Sequence, residues 1–398
     1  MTYDYDPFSH EAMSDPHSVY KHLRKEDGPH FIEKYNAWAL TSFDDIWSAS
    51  ILHEKDITFT DGQPLVNVLL GEPVPHTFTS MDGREHRKWR SVLRGEYTPG
   101  SVVQHEDRFR DLCREVLKPL LEKGEFDVYS EYFCRVISIN AGYNLGLTVE
   151  NALHWRHLID ETMHREKGQV GTVSERNLKA GMELRGSLQQ YVQQLRANPE
   201  LAKGQTKAYL EAEIDGVKAD DEAMVNFLIV MLTVGSGTTP NVCTGAVYYL
   251  DREAEQKAAV LANLDLVDKL FMETARYDQP TNMLCRRAVN DFELGGKEIK
   301  AGQALLYIYA SANRDEAEFP DSEKFNIFRE SERDISFGAG GHKCLGMHMA
   351  TLMGTTALRE LFDGVGDYKV LVDQCGRAYG EFLSGFTCVP IKVASQTA

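Results

Sequence analysis

The sequence predicts a mainly α-helical protein with a small β portion, and three observations predict it. Apolar residues recur at helical spacing over most of the chain; the longest such stretch, Ala223 to Leu250, lies near the middle; β-branched and aromatic segments are confined to a few short regions. No long Pro/Ser/Gly linker divides the 398 residues, which suffice to close one large core, so residues 1–398 are expected to form a single domain.

Asp15-Pro16 followed by His17 to Arg24 reads as a helix opened by proline, whose missing N–H has no partner to lose in the first turn. Phe31 to Thr41 has the character of a short hairpin. From Gln104 to Gly146 the helical period returns in two stretches broken near Gly124, then again over Asn151 to Glu166 and Glu175 to Leu195. Asp220-Asp221-Glu222 opens the central stretch, where carboxylates can accept from first-turn amides. Gly235 to Asn241 interrupt its apolar run, so it reads as a buried helix bent at its centre rather than a membrane span. A helix at Leu266 to Tyr277, short strands around Arg286 to Ile308 and a loop-rich segment then lead to the helical sequence Met347 to Leu361.

Composition excludes several functions. Sixty acidic against 43 basic residues give a formal charge of −17 with no long Lys/Arg block, so nucleic acid is not an expected partner. The acidic, polar segment Met1 to His10 carries neither a signal peptide nor an anchor, so no membrane partner and a cytoplasmic location are expected. Seven cysteines without a C-x-x-C pair argue against a disulfide framework and a structural zinc site.

Only Cys344 has a chemical context. It follows Gly338, Gly340 and Gly341 and precedes the last helical stretch, so the backbone can approach a flat ligand and first-turn amides can favour a thiolate. A thiolate held in this way can serve as the axial ligand of haem iron. Phe337, Gly338, Gly340, His342, Cys344 and Gly346 reproduce the signature F-G-x-G-x-H-x-C-x-G, and the chain resembles a soluble bacterial cytochrome P-450. The resemblance implies that family's fold, with a long bent central helix over haem b, and Cys344 as the metal ligand.

Other landmarks stand in family order. Glu273-Thr274-Ala275-Arg276 matches E-x-x-R, whose partner in the resembled family is an arginine here matched by Arg329; Ala312-Asn313-Arg314-Asp315 follows. Haem propionates need cations, and four residues match positions that hold them: His86 and Arg90 in Met81 to Arg90, then Arg286 and His342. The central helix keeps Thr238, the hydroxyl that the resemblance makes catalytic, but Gly237 stands where the family usually has Asp or Glu. Ordered water or a substrate hydroxyl is the expected proton relay in its place, the alternative being that another acid has taken over. After Cys344 the family's usual Leu-Ala-Arg-x-Glu continuation is also lost, only Ala350 surviving.

By position, Met231, Val234, Thr281, Met283 and Phe382 are candidate substrate contacts, with the loop Gly62 to Thr79 and the polar side chains Gln63, Asn67, His76 and Asn282 nearby. The expected reaction is O2-dependent hydroxylation or O-dealkylation of a small, mostly apolar molecule. A peroxide-driven oxygenase, a haem-dependent isomerase or dehydratase, and a non-catalytic haem-based binding protein are the alternatives. No nucleotide-binding G-x-G-x-x-G turn is present. Electrons are therefore expected from a ferredoxin and ferredoxin reductase with NAD(P)H, docking near Lys343, Arg87, Lys88 and Arg94.

Overall fold

Helix α1 (Pro16–Leu23) starts with proline in its first turn and buries Val19, Tyr20 and Leu23. The chain then turns back through Asn36, at φ 46°, to pair β1 (His30–Ile32) with β2 (Ala37–Leu40) in an antiparallel hairpin. This is a computed structural model, and it describes residues 3–52, 55–60, 62–71, 76–171 and 174–394. After the hairpin come α2 (Phe43–Ile51), β3 (Ile57–Thr58) and α3 (Gly83–Arg94). The stretch 104–146 resolves into α4 (Glu106–Lys123), closed by Gly124 at φ 71°, and α5 (Cys134–Leu145).

Helices α6 (Val149–Met163) and α7 (Glu175–Ala197) follow, capped by the hydroxyls of Thr148 and Ser174. The central helix α8 (Asp221–Arg252) is capped by the Asp220 carboxylate, which accepts from Ala223 N at 2.8 Å. By length and mean hydropathy (1.4) α8 could cross a membrane, but 61% of its apolar window is buried inside the protein, as a core helix requires. Its helical conformation runs unbroken through Pro240. Proline removes the N–H that would serve Ser236 O, and the Asn241 side-chain amide donates to Gly237 O at 3.0 Å, so the adjacent carbonyl stays satisfied.

Next come α9 (Val267–Tyr277), β4 (Leu284–Ala288), β5 (Ala304–Tyr307) and α10 (Met347–Val365). The main sheet has the order β1-β2-β5-β4-β3; β5 runs parallel to β2 and the other pairs are antiparallel. The largest core cluster lies where α4, α5 and the second half of α8 meet α9 and α10. There a Cβ on Gly354 of α10 would stand 2.1 Å from the Phe271 ring of α9, so glycine sets how closely these helices approach. A second cluster packs α3, α6 and α7 on the first half of α8. The two halves of α8 are thus fixed by different layers, and Gly235 to Thr239 lie at their junction.

Candidate active site

The loop before α10 places Cys344 by backbone contacts: Cys344 N donates to Phe337 O at 2.9 Å, and Gly346 is the N-cap of α10. Its glycines act differently. Gly338 and Gly340 both sit at φ +70°, but a Cβ on Gly340 would lie 2.0 Å from Ser50 O in the last turn of α2, whereas one on Gly341 would meet nothing within 4 Å. Close approach at Gly340 is therefore to α2, and it anchors the loop there. Cys344 is solvent-accessible, yet surrounding protein raises its thiol pKa, opposed by the Gly346 amide, Arg90 and Lys343.

Beside it the structure gathers three of the four expected cationic residues into one stack. The His86 and His342 rings lie parallel at 3.8 Å, Phe59 covers the other face of His342 at 3.3 Å, and the Arg286 guanidinium lies 3.5 Å over Phe59. The fourth, Arg90, stands one turn after His86 on α3 and donates to Lys343 O. Phe59 was not among the expected residues. It is fixed by the Asp82 carboxylate, which accepts from Phe59 N at 2.9 Å and Thr60 N at 2.8 Å.

The electrostatics of this cluster are one-sided. Burial, then His86, Arg286 and Arg90, press the His342 pKa down to about 2, and no carboxylate figures among the causes. Arg286 Nε and His342 Nε2 are buried and, among the described residues, have no hydrogen-bond partner. Buried donors without partners are destabilising, so this arrangement fits a ligand that brings anionic oxygens, as the two haem propionates would.

On α8, Val234 is 51% exposed in the middle of an otherwise buried helix, and Val230 and Thr238 are half-buried on the same face. Val230 was missed because one turn more or less is not fixed by an apolar run. Ser236 Oγ is tied to Leu232 O, whereas among the described residues no hydrogen bond holds Thr238 Oγ1. Met231, expected on this face, is buried in the second core cluster, and Met283 is buried against α1, because the two positions point into neighbouring layers. Thr281 and Phe382 stay half-buried: Thr281 bridges Leu383, and Asn282 N donates to Phe382 O at 2.9 Å. Asn282 spends its side chain on scaffold, giving to Glu381 O and accepting from Tyr20, and His76 faces Glu85. Of the loop Gly62 to Thr79, residues 72–75 lie outside the described residues.

A family model for cytochrome P-450 matches residues 170–363. A Mycobacterium tuberculosis protein named as cytochrome P-450 123 is 29% identical over 402 residues, covering 98% of this chain and 97% of its own. The chain belongs to the cytochrome P-450 family. Another relative, the methyl-branched lipid omega-hydroxylase of Mycobacterium bovis, is 25% identical over 91% of this chain and 85% of its own. The fold is that of solved P-450 structures: CYP109E1 from Bacillus megaterium in complex with testosterone superposes with a TM-score of 0.85 at 21% identity, covering 97% of this chain and 99% of that one.

Proteins of the P-450 family are haem-thiolate monooxygenases, and so is this chain. The E-x-x-R landmark of this P-450 is a buried lock. Glu273 accepts both Arg276 Nε and Nη2 at 2.8 Å, receives Asn326 N at 2.9 Å, and faces Arg329 at 3.5 Å. Arg276 also donates to Asn313 O and Ser322 O, so one ion pair ties α9 to the loop that leads to Cys344. The basic surface expected near the ligand is partly neutralised, since Lys88 and Arg84 both face Asp215.

Proposed function

We propose that this P-450, a single domain over residues 1–398, holds haem b with Cys344 as the axial thiolate and with His86, Arg90, Arg286 and His342 at the propionates. The observation that carries this reading is the pair Arg286 Nε and His342 Nε2, buried without a hydrogen-bond partner among the described residues, beside an accessible thiol. Phe337, Gly338, Gly340 and Gly346 shape the loop that presents the sulfur. When bound, the haem supplies O2 activation: one oxygen atom enters the substrate and the other leaves as water, with two electrons and two protons consumed. Thr238 provides a hydroxyl with no competing partner among the described residues on the open face of α8, and Gly237 beside it keeps that part of the helix uncrowded.

The substrate is a small, mostly apolar molecule that is hydroxylated or O-dealkylated. Val230 and Val234 give the open face its apolar character, with Thr281 and Phe382 at the turn that adjoins α8 through Gly385 and Asn241. The lipid named for one relative and the steroid bound in the CYP109E1 structure are likewise apolar. Electrons come from a ferredoxin and ferredoxin reductase with NAD(P)H in the cytoplasm, docking near Lys343, Arg87 and Arg94.

The test is the ferrous–carbon monoxide spectrum of the purified protein. Wild type is expected to give the spectrum of thiolate ligation and Cys344→Ser to lose it; a thiolate spectrum that survives in Cys344→Ser refutes the assignment. Terpenoids, aromatic ethers and fatty acids screened for a low-spin to high-spin Soret shift then define the substrate.

A further inference from the structure

We propose that Asp160 on α6, positioned by Arg156, is the carboxylate that delivers protons to the open face of α8 in place of the acid absent at Gly237. This rests on the monooxygenase reading above. A Cβ added at Gly237 would point at Arg156, whose Nη1 stands 3.4 Å away, and the same Nη1 lies 3.4 Å from Ser236 Oγ. A carboxylate at position 237 would therefore meet this guanidinium. Instead the guanidinium turns its remaining nitrogens to Asp160, Nη2 to Oδ1 at 2.6 Å and Nε to Oδ2 at 3.1 Å.

The placement gives the pair a direction. Arg156 has 7% of its side chain exposed and Asp160 46%, so one turn of α6 reaches from solvent to the residues just before Thr238. An ordinary surface i,i+4 pair has neither a buried guanidinium nor a second helix against its free nitrogen. The other titratable groups facing the pair are His157 and Glu161 on α6 and Tyr129 and Cys134 across from it; α8 contributes none.

The chemistry of the two residues differs. Partial desolvation by the surrounding protein raises the Asp160 pKa against the opposing pull of Arg156, so this half-exposed carboxyl holds a proton more readily than an ordinary surface aspartate. Arg156 stays a cation and does not itself donate. In each delivery one proton leaves the Asp160 carboxyl for solvent water on the open face of α8, and one returns to the carboxylate from bulk solvent. No other bond changes at Asp160, and the protons consumed in turnover come from water.

The experiment compares the ferric holoproteins of wild type, Asp160→Asn, Gly237→Asp and the double variant. The first readout is the urea midpoint, which is independent of turnover: Asp160→Asn is expected to lower it, and adding Gly237→Asp to restore it by pairing Arg156 again. The second is NADH-driven O2 consumption without added substrate, supported by a plant-type ferredoxin and its reductase, in H2O and D2O. Asp160→Asn should slow it about tenfold or more and enlarge the solvent isotope effect, and the double variant should reverse both changes. A wild-type rate and isotope effect in Asp160→Asn overturns the proposal, as does a double variant that recovers its midpoint but not its rate. If Asp160→Asn alone does not fold, Gly237→Asp and the double variant still decide by the same readouts. Loss of the thiolate carbon monoxide spectrum in wild type would instead remove the haem reading itself.

Discussion

Replacing Gly340 by alanine should be far more damaging than the same change one residue later, although both glycines lie in one loop. At φ +70° an alanine costs about 1–2 kcal/mol in the left-handed region. Its Cβ would also sit 2.0 Å from Ser50 O and 3.0 Å from Ser50 C, backbone atoms that cannot turn away. Relieving that overlap requires the loop or α2 to shift by more than an ångström, an overpacking penalty of about 1–3 kcal/mol. The expected total is therefore about 2–5 kcal/mol. Gly338→Ala carries the same φ, with its nearest neighbour at 3.9 Å, so only the conformational penalty of about 1–2 kcal/mol applies. Gly341→Ala meets nothing within 4 Å and should lie within about 0.5 kcal/mol of wild type or be slightly stabilising, because alanine restricts the unfolded chain. Urea midpoints of the three variants should follow the order Gly341, Gly338, Gly340. Haem content should fall in the same order, since a shift at Gly340 is carried to Cys344 four residues on. Equal midpoints for Gly338→Ala and Gly340→Ala would refute the anchoring of this loop on α2.

Two further outcomes follow from buried charge. Glu273→Ala leaves Arg276 and Arg329 without their shared carboxylate, a loss of about 3–5 kcal/mol, so soluble haem-containing protein should be lost; a variant that retains wild-type yield and thermal midpoint contradicts the lock. Asp278 is fully buried, which pushes its carboxyl up, but Arg377 at 2.6 and 2.9 Å outweighs this and holds its pKa at about 2. Because the folded value lies below the unfolded one near 3.8, this pair stabilises the protein by about 2 kcal/mol above pH 4. That contribution is lost as pH falls from about 4 to about 2. Thermal midpoints followed by tryptophan fluorescence should drop over that window in wild type and lose this component in Arg377→Met; an unchanged acid limb in the variant counts against it.

The long helices were legible because each presents an apolar stripe several turns long, with a cap at its start: Thr148, Ser174 and Asp220 all accept first-turn amides as their position suggests. Short elements were legible only where a proline, a strand-like run or a motif marks them, as in α1, the β1–β2 hairpin and the His86 helix α3; α2 spans nine residues, too few for the period to stand out. The strand Glu125–Asp127 is defined by a partner 265 positions away, since Ile391 pairs with Phe126 and no local pattern reports that contact.

The site divides along the same line. Cys344, His86, Arg90, Arg286 and His342 could be named because each sits in a local motif, yet the sequence could not say that His342 would be clasped between His86 and Phe59. Gly237 shows the limit from the other side. The missing acid is visible as a single residue, but what faces the gap is Arg156, 81 residues earlier on another helix. The acid absent from α8 is answered by a pair on α6, and only packing brings the two together. If Asp160 supplies the protons, then the open backbone at Gly237 is what lets a carboxylate from a second helix serve Thr238, and restoring an acid there should make Asp160 dispensable.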